Sequence, residues 1–317
     1  MWKDKITYNV ILSFFIIKNN GVKICEGEKV IEIRSVYDLE KYIESDYKAL
    51  INNLKDNLVS IFIIGSMVDK NKLLIQYNDY DIRVLIKNID RKTYNVIKEF
   101  NVNIKNKFSK IGINTEYSFL VGPVRYITKS KVNLLLHCLP MTEESLDELP
   151  LTHKYSYSQN YRIIYGTDKI KKYEKIRYSE KDIILCPEGI DYCLNMINNN
   201  TLYYLEWKDL NGKMELVKNE SIMDEYMLFE VLRYSISKSL DNSIRMMKWS
   251  KNINAKSINE KIMLIDNTID KRTIDNINSL LYGTFEEFID RKEEFVNLTK
   301  EFLYKIRRCL EKSEEIL

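Results

Sequence analysis

Two aspartates stand one residue apart in Asp79-Tyr80-Asp81-Ile82-Arg83-Val84. The alternation predicts a strand over residues 79–87, with Tyr80, Ile82, Val84 and Ile86 on one side and Asp79, Asp81, Arg83 and Leu85 on the other. Period-two geometry puts both carboxylates on one face. Carboxylates this close repel, and each needs a compensating cation. Mg²⁺ suits the pair, because it takes hard oxygen ligands from one or two carboxylates together with substrate phosphates. Upstream, residues 58–64 form a continuous apolar run, read as a buried strand, that ends at Gly65-Ser66. The glycine lets a phosphate approach the backbone, and Ser66 adds a hydroxyl and an amide as donors.

The elements around this pair follow from periodicity and punctuation. Residues 22–25 and 29–33 read as a hairpin around Glu26-Gly27-Glu28, and Ser35 caps a helix running to about residue 56. A helix is expected over residues 91–109, a third strand over 114–121 and a fourth over 131–139. Thr142 starts a further helix, and residues 161–165 form a short apolar strand closed by Gly166. From Pro187 onward strand signals nearly vanish. Helical segments are expected at 188–205, 222–250, 257–269, 273–282 and 284–312.

A strand delivering Gly-Ser, a twelve-residue spacer and an acid–x–acid triplet on the next strand resembles the signature of the DNA-polymerase-β-like nucleotidyltransferases. Tyr80 departs from it, because the middle position is usually apolar. The resemblance covers roughly residues 36–140, and it extends to the small-molecule, antibiotic-type members. It implies that Asp79 and Asp81 bind two Mg²⁺ ions on a nucleoside triphosphate, ATP favoured, with Gly65 and Ser66 at the phosphates. It also implies a third acid from a neighbouring strand. Glu116, in Thr115-Glu116-Tyr117, takes that place as metal ligand or general base, on a strand expected to pair beside Asp79 and Asp81. The reaction implied is transfer of a nucleoside monophosphate to a hydroxyl of a small-molecule acceptor, with release of pyrophosphate.

The architecture expected is α+β: a mixed-sheet catalytic domain over residues 1–185, including an N-terminal extension 1–35, then a C-terminal helical bundle over 186–317. Lys238 and Lys248, on the predicted helix 222–250 with Trp249, are candidates to hold pyrophosphate charge; the competing reading is a solvated basic face. His137 reads as a satisfied core histidine, because Cys138 beside it points to the opposite face. His153 reads as a loop residue.

The remaining composition narrows the partners. With 49 basic and 46 acidic residues the net charge is +3, which argues against a dedicated nucleic-acid binder. The five cysteines form no C-x-x-C pair and fit a reducing cytoplasm. The apolar stretch 10–17 is too short to span a bilayer and reads as core rather than as a signal peptide. No oligomer can be read from the sequence. The alternatives are a toxin or defence nucleotidyltransferase acting on protein or RNA, a second-messenger synthase, and a non-catalytic nucleotide-binding module.

Overall fold

The computed structural model describes residues 22–26, 29–74, 78–122, 133–149, 151–174, 186–251 and 257–314. The apolar stretch 10–17 lies outside them. A two-stranded hairpin, β1 (Val22–Glu26) and β2 (Lys29–Ile33), leads into α1 (Val36–Tyr42) and α2 (Glu44–Leu54). Ser35 caps α1 as its sequence position predicts. Its hydroxyl accepts from the Asp38 amide, while the Asp38 carboxylate reaches back to the Ser35 amide.

Five strands make the central sheet: β3 (Leu58–Ile64), β4 (Asn78–Ile86), β5 (Thr115–Tyr117), β6 (Leu134–Met141) and β7 (Tyr161–Gly166). Their order is β5-β6-β4-β3-β7. β3 runs antiparallel to both β4 and β7, and β6 runs parallel to both β4 and β5. The sheet is therefore mixed, as expected. The expected neighbour of β4 is corrected, because β6 and not the Glu116 strand lies beside it. A long helix, α3 (Arg91–Lys110), connects β4 to β5.

Two apolar layers flank the sheet. On one side Tyr80, Ile82, Val84, Leu136 and Cys138 pack against α1, α2 and α3. On the other, Phe62, Leu85 and Met141 pack beneath α4 (Glu143–Asp147) and α5 (Leu151–Gln159). His153 lies on α5 rather than on a loop. Gly166 closes β7 at φ +84°, where a Cβ would meet the Val59 carbonyl at 2.1 Å, so only glycine fits.

The remainder of the chain is mostly helical: α6 (Cys186–Asn199), α7 (Glu225–Lys251), α8 (Ile258–Ile265), α9 (Lys271–Tyr282), α10 (Phe285–Asp290) and α11 (Lys292–Glu314). They enclose a separate core that includes Leu232, Phe288 and Phe302. The helix expected over 188–205 is corrected: α6 stops at Asn199, where Asn200 takes φ +50° and ends the helix. A hairpin follows, β8 (Thr201–Leu210) and β9 (Lys213–Ile222). Its Asn211-Gly212 turn has both central φ values positive, as the type I′ hairpin turn requires. The hairpin touches the sheet half directly. Val121 and Leu205 exchange backbone hydrogen bonds at 2.9 and 2.8 Å, and Trp207 packs on the sheet core.

Candidate active site

β3 ends at Ile64, which pairs with Asp81 of β4, and Gly65 follows directly. Gly65 takes φ +77°, and a Cβ there would stand 3.4 Å from Asp81 Oδ2. The turn that sequence spacing predicts is thus adjacent to the acid pair. Asn160, just before β7, fixes it: its Nδ2 donates to the Gly65 carbonyl at 2.7 Å, and its own carbonyl accepts from the Gly65 amide at 3.3 Å. The Gly65 amide is therefore engaged, while Ser66 next to it is exposed.

Along the acid face of β4 the two aspartates are partly exposed and Arg83 is buried. Asp79 is half-buried, the Asp81 side chain is 27% exposed and that of Arg83 is 9% exposed. Arg83 is covered by α5, and its Nε donates to the Tyr157 hydroxyl at 3.3 Å. Its Nη1 donates to the carbonyls of Ile82 and His137, both at 3.0 Å, and its Nη2 lies 3.6 Å from Asp81 Oδ1. These contacts satisfy a buried guanidinium, which is costly to leave unpaired.

Asp81 is held from the neighbouring strand as well. His137 on β6 is its partner in register, and His137 Nδ1 lies 3.0 Å from Asp81 Oδ1. The other ring nitrogen lies 2.8 Å from the Leu120 carbonyl. Both neighbours are acceptors, so both contacts are hydrogen bonds only when the ring carries both protons. Burial pushes the Asp81 carboxyl up, but the His137 hydrogen bond and the Arg83 charge outweigh it and leave the carboxyl below its ordinary value. Oδ1 is thus engaged, while Oδ2 faces the Gly65 turn.

Glu116 stands differently. In register it aligns with Leu135 and, across β6, with Asp79. It shares their face, yet two strand spacings of about 4.8 Å separate it from Asp79. Its carboxylate accepts from Lys105 of α3 at 2.7 Å. The structure does not bring it to the aspartates. Among the described residues no three His, Cys, Asp or Glu side chains gather closely enough to hold a metal ion. Two aspartates alone still fit Mg²⁺, which keeps waters and takes phosphate oxygens alongside one or two carboxylates.

Lys238 is half-buried on α7, where its charge bears on the Cys193 thiol of α6. That places it in the packing of the helical half. The side chains of Lys248 and Trp249 lie outside the described residues. Sequence reasoning missed Arg83, His137 and Asn160 as site residues. Arg83 carried a signal, a charge inside an apolar strand on the acid face; the other two depend on strand order.

No family model matches the sequence, and no curated protein matches it. Among solved structures, the chain is similar to the spectinomycin adenyltransferase AAD(9) from Enterococcus faecialis with ATP and spectinomycin, at 14% identity and a TM-score of 0.49, over 84% of this chain and 98% of that one. It is also similar to a toxin-antitoxin with AMP-PNP, at 13% identity and a TM-score of 0.25, over 49% of this chain and 96% of that one.

Proposed function

We propose that this protein is a metal-dependent nucleotidyltransferase that moves a nucleoside monophosphate from a triphosphate, ATP favoured, to a hydroxyl of a small-molecule acceptor. The observation that carries the reading is Asp81: one carboxylate oxygen is engaged by His137 near Arg83, and the other faces a glycine turn from the adjacent strand. A carboxylate oriented through one oxygen by neighbouring groups, with the other turned to an open turn, suits a metal ligand.

In this reading Asp79 and Asp81 would hold Mg²⁺ together with triphosphate oxygens. The cation would supply charge neutralisation at the phosphoryl group under attack. Gly65 admits the phosphates close to the backbone, and the exposed Ser66 hydroxyl donates to them. His137 and Arg83 keep Asp81 ionised and oriented. Glu116, two strands from Asp79 and paired with Lys105, would accept the proton of the acceptor hydroxyl only from an acceptor that reaches past Asp79 to its carboxylate. Pyrophosphate is the leaving group. The near-neutral charge of the chain fits a small acceptor better than a long nucleic acid.

Incubation with each of four α-labelled triphosphates, Mg²⁺ and a metabolite extract tests this. Label is expected in a small product that is lost with Asp81→Asn. Label appearing in protein or RNA instead would change the acceptor class. No Mg²⁺-dependent transfer to any acceptor would overturn the reading.

A further inference from the structure

The apolar side of β4 carries a phenol, and it lies between the two aspartates. Tyr80 is completely buried; its hydroxyl lies 2.8 Å from that of Tyr47 and donates to Glu40 Oε1 at 3.0 Å. Glu40, on α1, also takes the Arg162 fork from β7, with Nη1 at 3.1 Å to Oε2 and Nη2 on Oε1. Arg162 then sends its Nε to the Val68 carbonyl at 2.8 Å. Val68 follows directly on the Gly65–Met67 turn. The backbone of α1 grips the same stretch, because the Tyr37 and Val36 amides donate to the carbonyls of Lys70 and Lys72 at 2.9 and 3.0 Å.

A single carboxylate is therefore bonded both to the strand that bears the acids and to the arginine that anchors the chain beyond the turn. The pair is largely buried, with Glu40 and Arg162 side chains 12% and 19% exposed. Burying such a pair costs desolvation, and apolar residues of similar volume often give equal or better stability. What apolar residues do not supply is direction: the planar guanidinium has donors in a fixed fork. Tyr80, which departs from the apolar residue expected between the acids, is the phenol this arrangement requires.

We infer that Glu40, Arg162 and Tyr80 form a positioning network that sets the separation between the Gly65-Ser66 turn and the Asp79–Asp81 carboxylates, and so the fit of the metal–triphosphate complex. The inference rests on the nucleotidyltransferase reading of the site. None of the three residues touches the substrate; each acts through the backbone it holds.

The test separates fold from fit. The triple variant Glu40→Leu, Tyr80→Phe, Arg162→Met replaces the network by apolar side chains. It is expected to keep a thermal midpoint near that of the wild type and to bind Mg²⁺–ATP about 10–100-fold more weakly by calorimetry, the range typical of groups that orient a ligand from behind. Arg162→Lys keeps the charge opposite Glu40 but loses the fork. It should weaken binding in the same direction, and it decides the matter where the triple variant fails to fold. Wild-type affinity in both variants, or in Arg162→Lys when only that one folds, would overturn the inference while leaving the site reading intact, provided Asp81→Asn abolishes binding. A wild-type protein that binds none of four Mg²⁺–triphosphates would overturn the site reading and this inference with it.

Discussion

The two sides of β4 are held by different means. Toward α1–α3, Tyr80, Ile82, Val84 and Ile86 are completely buried and lock the strand by packing. Toward α5 and the open end of the sheet, Asp79, Asp81 and Arg83 carry charge, and Asp81 owes its orientation to His137 and Arg83. Packing decides where the strand lies; charged contacts decide where the carboxylate points. Apart from the Tyr80 hydroxyl, which belongs to the Glu40–Arg162 network, the packed side should therefore answer to mutation as stability, and the charged side as affinity and rate.

The largest effect should come from breaking the packed side. Ile82→Ala removes a fully buried side chain from the core. It should cost about 2–5 kcal/mol in urea unfolding, with nucleotide affinity of the folded protein unchanged. Loss of affinity at full stability would invert the comparison.

Breaking the charged side should do the reverse. Asp79→Asn or Asp81→Asn should lower transfer at least about a hundredfold, since each removes a metal ligand from an electrostatic site. Circular dichroism should hold for both, while the thermal midpoint falls for Asp81→Asn, because the Asp81 charge offsets the buried Arg83. Full transfer by either variant in Mg²⁺ would sink the assignment.

Gly65→Val sharpens the comparison at the turn both sides share. Forcing a β-branched residue to φ +77° costs about 1–2 kcal/mol of stability. Its side chain would also face Asp81 Oδ2, so triphosphate affinity should fall by more than about tenfold, beyond the stability cost. Equal affinity in calorimetry would put the triphosphate elsewhere.

Glu116 should have a small stability effect. Its pair with Lys105 is about one-third exposed on each side, so Glu116→Gln should lower stability by under about 1 kcal/mol. Mg²⁺–triphosphate affinity should persist while turnover falls. A parallel loss of affinity would make Glu116 a ligand after all.

Much of this arrangement can be read from local pattern. The β3 run, the Gly65-Ser66 stop, the alternation of β4 and the α3 helix follow from short-range periodicity, as does the Ser35 cap. Strand order does not. That β6 inserts between β4 and β5 is a property of the crossover, and it alone makes His137 the partner of Asp81 and removes Glu116 from the pair. Tyr80 is intelligible only through Glu40, forty residues upstream in sequence. The β8–β9 hairpin overturns the expectation that strands nearly vanish after Pro187; Asn211-Gly212 is its turn signal, but the apolar residues 202–205 follow α6 closely enough to extend its helical pattern. Asn200, in the left-handed region, is what stops it.

The central claim is that Asp79 and Asp81 bind a triphosphate through a shared cation. Calorimetric titration of ATP into the wild type and into Asp81→Asn, each with Mg²⁺ and with a chelator, tests it most directly. Tight binding is expected only for the wild type with Mg²⁺, and weak binding in the other three titrations, with Asp81→Asn still folded by circular dichroism. Equal ATP affinity with and without Mg²⁺, or an Asp81→Asn variant that binds as the wild type does, would contradict it.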